Sequence, residues 1–173
     1  MKSCIPHDII DDMTYTEHIK QLCEENGIHI EWTDEYVGEW PDAGALPKVP
    51  AVKIHEPTND FLYMVALHEI GHVMTDRTSD RQLEREARAW DWAVENVQMD
   101  IGKEAWQKAF TALSSYVARM VRRDLRQQSA FVPPKSHWFW AVYVLLAQFA
   151  FPVVDMVPHS ARENVYNYMV TRV

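Results

Sequence analysis

The stretch MVALHEIGHVMT, residues 64–75, sets two histidines one helical turn apart in an otherwise apolar run, with a glutamate directly after the first. On an α-helix, residues i and i+4 share a face, so His68 and His72 can aim their imidazoles at one point while Glu69 lies about 100° round the cylinder. This is the geometry of the HExxH pattern. In it both imidazoles ligate zinc, and the glutamate takes a proton from the water that the metal activates. The pattern nominates His68 and His72 as metal ligands and Glu69 as a general base. Three fixed positions also recur by chance, so the flanks carry the weight. Leu62, Val65, Ala66, Leu67, Ile70, Val73 and Met74 wrap nearly the whole helix, as a buried helix requires, and a buried charge is costly unless paired or metal-bound. Gly71 sits inside the helix at a cost of about 1 kcal/mol against alanine, which implies something packed close to the backbone there.

The surroundings predict one compact domain spanning residues 1–173, with a core at about 28–97 and a helical extension at about 103–173. A chain of 173 residues with 47% hydrophobic content and seven Trp has ample material for a core. A net charge of −8 argues against general affinity for nucleic acid or anionic membranes. Cys4 and Cys23 lack CxxC spacing, so no disulfide framework is expected and a reducing cytoplasm fits. The N-terminal MKSCIPHDIIDDM has early acids and no apolar run, unlike a signal peptide.

Ahead of the motif, residues 17–26 read as a helix ended by Gly27, followed by an alternating strand at 28–32. Residues 38–50 read as a loop, and a second strand at about 49–55 leads into the motif helix after Pro57, Thr58 and Asn59. That order is expected to place an edge strand beside the metal, where an extended peptide could pair. Beyond Thr75, Ser79 with Gln82 forms a capping box for a helix running to about Val97.

A catalytic zinc needs a third protein ligand and an open fourth position. The helix QLEREARAWDWAVE offers Glu84, Glu86, Asp91 and Glu95. Leu83, Ala87, Trp90, Val94 and Val97 lie near one stripe, with Glu86, Ala89 and Ala93 on its shoulder, so Glu86 is nearer the interior than Glu84.

A strand, a helix reading ALHEIGH, and a helix carrying Glu86, Ala89, Trp92 and Ala93 in an ExxAxxWA pattern together resemble the small zinc metallopeptidases of the ImmA/IrrE type, within the glutamate-zincin group. Their second helix commonly reads E-x-E-A-N/D-x-F-A, its first Glu being the third ligand. Setting Trp92 and Ala93 on the F-A pair puts that ligand at Glu86. Arg88 and Trp90 stand where the pattern has its second Glu and its Asn or Asp, so Glu84 stays open as an alternative ligand. The resemblance covers approximately residues 49–97. It implies an α+β, mainly helical fold, with a small N-terminal β-sheet packed on a zincin-type active-site helix and additional C-terminal helices. It also implies a Zn2+ cofactor and hydrolysis of a protein or peptide substrate, with a narrow regulatory target.

Peptide-bond hydrolysis agrees with the residues: zinc polarises the carbonyl, and Glu69 activates water and returns the proton to the leaving amine. An oxyanion donor should come from elsewhere, and His55, Tyr63, Tyr116 and His137 stay unranked. Residues 103–128 keep a helical apolar stripe through Trp106, Phe110, Leu113, Val117, Met120, Val121 and Leu125. Arg119, Arg122, Arg123 and Arg126 crowd its end, a cluster that could dock a nucleic-acid phosphate or an acidic partner but that the acidic total favours as a solvated face complementing the helix C-terminus. HWFWAVYVLLAQFAFPVV, residues 137–154, approaches the ~18 apolar residues of a membrane span. Gln148 inside it and Pro152 near its end favour a buried helix, or one covering an interface with another subunit or partner. Ser160 and Glu163 predict a capped terminal helix.

Three functions are therefore weighed. The first is a cytoplasmic zinc peptidase, whose size and acidity suit a phage or mobile-element regulator by association. The second is a zinc-binding regulatory or structural protein that binds a partner without cleaving it. The third is a membrane-embedded HExxH protease. Glu69 discriminates between the first two, since a purely structural site has no use for a base.

Overall fold

The computed structural model describes residues 13–75, 81–124 and 133–151. Helix α1 (Tyr15–Asn26) starts on a reciprocal cap: Thr14 Oγ1 accepts from Glu17 N–H, and the Thr14 N–H donates to Glu17 Oε2 at 2.8 Å. It stops at Gly27, whose φ of 64° is the left-handed conformation in which a side chain would be strained.

Strand β1 (His29–Thr33) then pairs in parallel with β5 (Ala51–His55), and β4 (Gly44–Leu46) pairs antiparallel on the other side of β5, giving the order β1-β5-β4. Between them, β2 (Tyr36–Val37) and β3 (Trp40–Pro41) make a separate two-stranded ribbon. The expected loop at 38–50 thus contains β3 and β4. The expected edge strand also moves: β5, which leads into the motif helix, is central, and β4 is the edge. Val52 and Ile54 of β5 are buried and need cover on both sides, whereas Gly44 and Ala45 are too small to announce a strand by alternation.

Helix α2 (Asp60–Thr75) carries the motif. Asn59 Oδ1 accepts from Leu62 N–H at 3.0 Å and caps it. Asp60 accepts from the Tyr15 hydroxyl at 2.7 Å and from Gly102 N–H at 2.6 Å, tying α2 to its neighbours. Leu62, Ala66, Leu67, Ile70 and Val73 are buried as expected, whereas Val65 is partly exposed and Met74 is 42% exposed on the last turn.

Helix α3 (Gln82–Glu95) stops two residues short of Val97; Ser79 lies outside the described residues, and Arg81 at the cap makes no side-chain cap bond. Helix α4 (Lys103–Asp124) buries Trp106, Leu113 and Val117, with Phe110 and Met120 partly covered; Leu125 and Arg126 lie outside the described residues. Helix α5 (Phe139–Ala150) packs on α4 and α3, and turns Phe139, Trp140, Tyr143 and Leu146 inward. No described helix is long and apolar enough to cross a membrane. The terminal helix expected around Ser160 and Glu163, and Cys4, lie outside the described residues, while Cys23 is a buried free thiol. The fold is α+β and mainly helical: a small sheet near the N-terminus lies against α2, and α3 to α5 complete the packing.

Candidate metal centre

A close approach of two helices builds the site. A Cβ placed on Gly71 would meet Ala89 O at 2.5 Å and Ala89 Cα at 3.0 Å, so only glycine lets α3 lie this near α2. Ala89 is one turn from Glu86, and Gly71 sits between His68 and His72 in the chain. The helix contact therefore delivers the Glu86 carboxylate to the two imidazoles.

The three ligand atoms form a nearly equilateral triangle. His68 Nε2 and His72 Nε2 are 3.1 Å apart, and Glu86 Oε2 is 3.3 Å from the first and 3.4 Å from the second. Donors at about 2.0–2.1 Å from a tetrahedral zinc ion stand roughly 3.3 Å from one another, so the triangle has the dimensions of one face of such a site. Glu86 is 6% exposed, and the ring nitrogens of both histidines face its Oε2, so the three groups converge on one point. Burial pushes the Glu86 carboxyl upward, but the side chains of His68 and His72 outweigh it and hold the group at about 2, ionised as a ligand must be. Among the described residues, His68, His72 and Glu86 are the group able to hold a metal ion.

Glu84 goes elsewhere. Its Oε1 pairs with His137 Nε2 at 3.1 Å and with Arg81 Nη1 at 3.3 Å, which ties α3 to the segment before α5. Glu69 points into a cleft of about 180 Å3 that it lines with His68 and Tyr116. Burial raises its carboxyl above the ordinary glutamate value, which suits a group that must take up a proton.

The four oxyanion candidates now separate by position. His55 Nε2 is 2.6 Å from Glu35 O, and Tyr63 is fully buried with its hydroxyl 2.6 Å from His18 Nδ1. His137 is engaged with Glu84. Tyr116 alone of the four lines the cleft, with the Arg119 guanidinium 4.0 Å from its ring centroid. Burial first, then the Glu86 carboxylate, push its phenol up, so its O–H stays a donor.

Trp90 supplies a contact that sequence reasoning did not find. Its ring stacks on His68 at 4.2 Å and 26°, and His68 Nδ1 is buried without a hydrogen-bond partner. An indole face orients this imidazole where a metal-ligating histidine ordinarily donates to a carboxylate or carbonyl. The apolar stripe did mark Trp90 as inward-facing, but nothing in its spacing marks a ring partner.

The chain matches no protein-family model, no curated protein and no solved structure. The function is therefore argued from this site.

Proposed function

We propose that the protein is a zinc-dependent peptidase in which His68, His72 and Glu86 hold the metal and Glu69 is the general base, in the manner of the ImmA/IrrE-type enzymes its motif helices resemble. The observation that carries this reading is the triangle of buried donors with a cleft-lining glutamate beside it. A structural centre needs four closed positions and no base, whereas three donors next to an open cleft suit hydrolysis.

A zinc ion in this cage would polarise the scissile carbonyl and lower the pKa of the water that attacks it. Glu69 takes the proton from that water and delivers it to the leaving amine. Tyr116 donates a hydrogen bond to the carbonyl oxygen as it gains negative charge. Ala43 lines the cleft just before β4, whose outer edge pairs with no described strand. An extended substrate can add to that edge through backbone hydrogen bonds, presenting alternate side chains to the cleft. Need for an accessible extended segment suits a narrow protein target.

The test is paired: bound zinc and cleavage of soluble cellular proteins are measured for the wild type and for Glu69→Gln. Zinc is retained by both, and cleavage drops by about 10²–10⁴ in the variant, the usual share of a general base. Equal stoichiometric zinc with no cleavage by the wild type would replace the peptidase with a binding module.

A further inference from the structure

We propose that the cleft beside Glu69 receives an uncharged apolar side chain of the substrate, branched aliphatic or aromatic, next to the bond that is cut, and that Ala112 sets the size limit. This rests on the peptidase reading and assigns the substrate class of the same site. The ionisable residues lining the cleft are His68, Glu69 and Tyr116, all at the reaction centre. Every other lining residue is Trp, Phe, Pro, Val or Ala, among them Trp40, Phe61, Val65 and Ala112, which together make the proposed apolar recess.

The placement follows from helix periodicity. Phe61, Val65 and Glu69 succeed one another at intervals of four, so one face of α2 runs from the base to an apolar seat about 6 Å away at Val65 and about 12 Å away at Phe61. On α4, Ala112 and Tyr116 repeat the same interval, and α4 packs on α2. The small Ala112 therefore leaves open space one turn from the hydroxyl that would meet the carbonyl oxygen. Trp40 from β3 closes the third side, its ring 5.5 Å from that of Phe61 at 70°.

Volume and polarity agree on the occupant. The whole cleft is about 180 Å3, room for about six waters at ~30 Å3 each, so beside the scissile group it admits no more than one side chain of leucine or phenylalanine size. A lysine or aspartate entering it would shed its water with no partner in the recess. Lys108 Nζ lies 4.4 Å from the Phe61 centroid, but on an exposed residue outside the lining.

The experiment measures binding of N-acetyl hydroxamates of Gly, Leu, Phe, Asp and Lys to the zinc-loaded wild type, the common zinc-anchoring group cancelling in the comparison. Leu and Phe are expected to bind at least about 10-fold more tightly than Gly, the range an apolar pocket gives, while Asp and Lys gain nothing. Ala112→Leu should erode the advantage of Phe, and Ala112→Trp should abolish it for both. Zinc content should stay at the wild-type stoichiometry, and the Gly probe, which puts no side chain into the cleft, should lose less affinity than the Leu and Phe probes, which separates a filled cleft from a damaged fold. A flat series, a preference for Asp or Lys, or no zinc to anchor the probes overturns the assignment. If the wild type cuts no peptide yet ranks Leu and Phe first, the peptidase reading fails and the apolar recess stands. If it cuts peptides without regard to an apolar neighbour, the recess falls and the peptidase stands.

Discussion

At the residue scale, Glu86 and Glu84 lie two positions apart on α3 and meet different partners, so their substitutions should diverge. Glu86→Ala removes one corner of the triangle and should cost more than about 100-fold in zinc affinity, beyond the 10–100-fold typical of outer-shell partners. Glu84→Ala breaks contacts to His137 and Arg81 and should leave zinc affinity unchanged; a metal-buffered titration of both variants decides it. Tyr116→Phe should lower kcat by about 10²–10³ with bound zinc unchanged, the loss expected of one oxyanion donor. Stopped-time peptide assays at saturating substrate check that figure. The clustering of His68, His72 and Glu86 was legible because it is written in short-range periodicity: His68 and His72 share a face, and Glu86 sits on the shoulder of an apolar stripe. Tyr116 was not, because its place in the cleft depends on how α4 crosses α2, and no local pattern encodes a crossing. Trp90 shows the same limit, since its ring contact with His68 exists only once α3 is seated.

Two helix contacts carry the argument at the scale of elements. Gly71→Ala gains about 1 kcal/mol of helix propensity, but its Cβ would meet the Ala89 backbone at 2.5 Å, where nothing flexible can yield. Overpacking of this kind costs about 1–3 kcal/mol, and the helices must part where Glu86 reaches across. The variant should therefore lose zinc affinity more than stability, as metal titration beside thermal melting would register. The α1–α2 contact is sensitive to pH instead. Burial holds His18 below its ordinary value of 6.5, with its Nδ1 against the Tyr63 hydroxyl and its Nε2 buried without a partner. The unfolded chain takes up a proton that the folded His18 refuses, so this contribution is complete above the ordinary value and is lost as pH falls through it towards the lower folded value. His18→Gln should flatten the fall of the thermal midpoint as pH drops below the ordinary histidine value of 6.5. Gly71 was readable as a close approach, because glycine inside a helix has few other uses. The strands β3 and β4 were not, because two or three residues containing Pro, Gly or Ala carry no alternation; β4 exists by its pairing with β5.

Across the whole molecule, one cluster of buried side chains runs from Ile19 on α1 through Val52 and Ile54 of β5 and Leu67 of α2 to Leu113 on α4 and Phe139 on α5. Helices α4 and α5 belong to the core that seats the motif, and α4 contributes Ala112 and Tyr116 to the cleft. The apolar run at 137–154 is thus accounted for, within the described residues, by a 12-residue helix whose aromatic side chains face α3 and α4. Because His68 and His72 sit on α2 and Glu86 on α3, parting the α2–α3 interface disperses the cluster, so a metal held there would link binding to folding. Zinc at about 100 times its dissociation constant should add about 2.7 kcal/mol of stability, which for a chain of this size raises the thermal midpoint by about 5–10 °C. Differential scanning calorimetry with and without a chelator measures it. Glu86→Ala should lose most of that rise, whereas Glu69→Gln should keep it in full, since Glu69 is not among the three residues that would hold the ion. A rise that survived Glu86→Ala would move the metal away from the α2–α3 interface and, with it, the reaction away from the cleft.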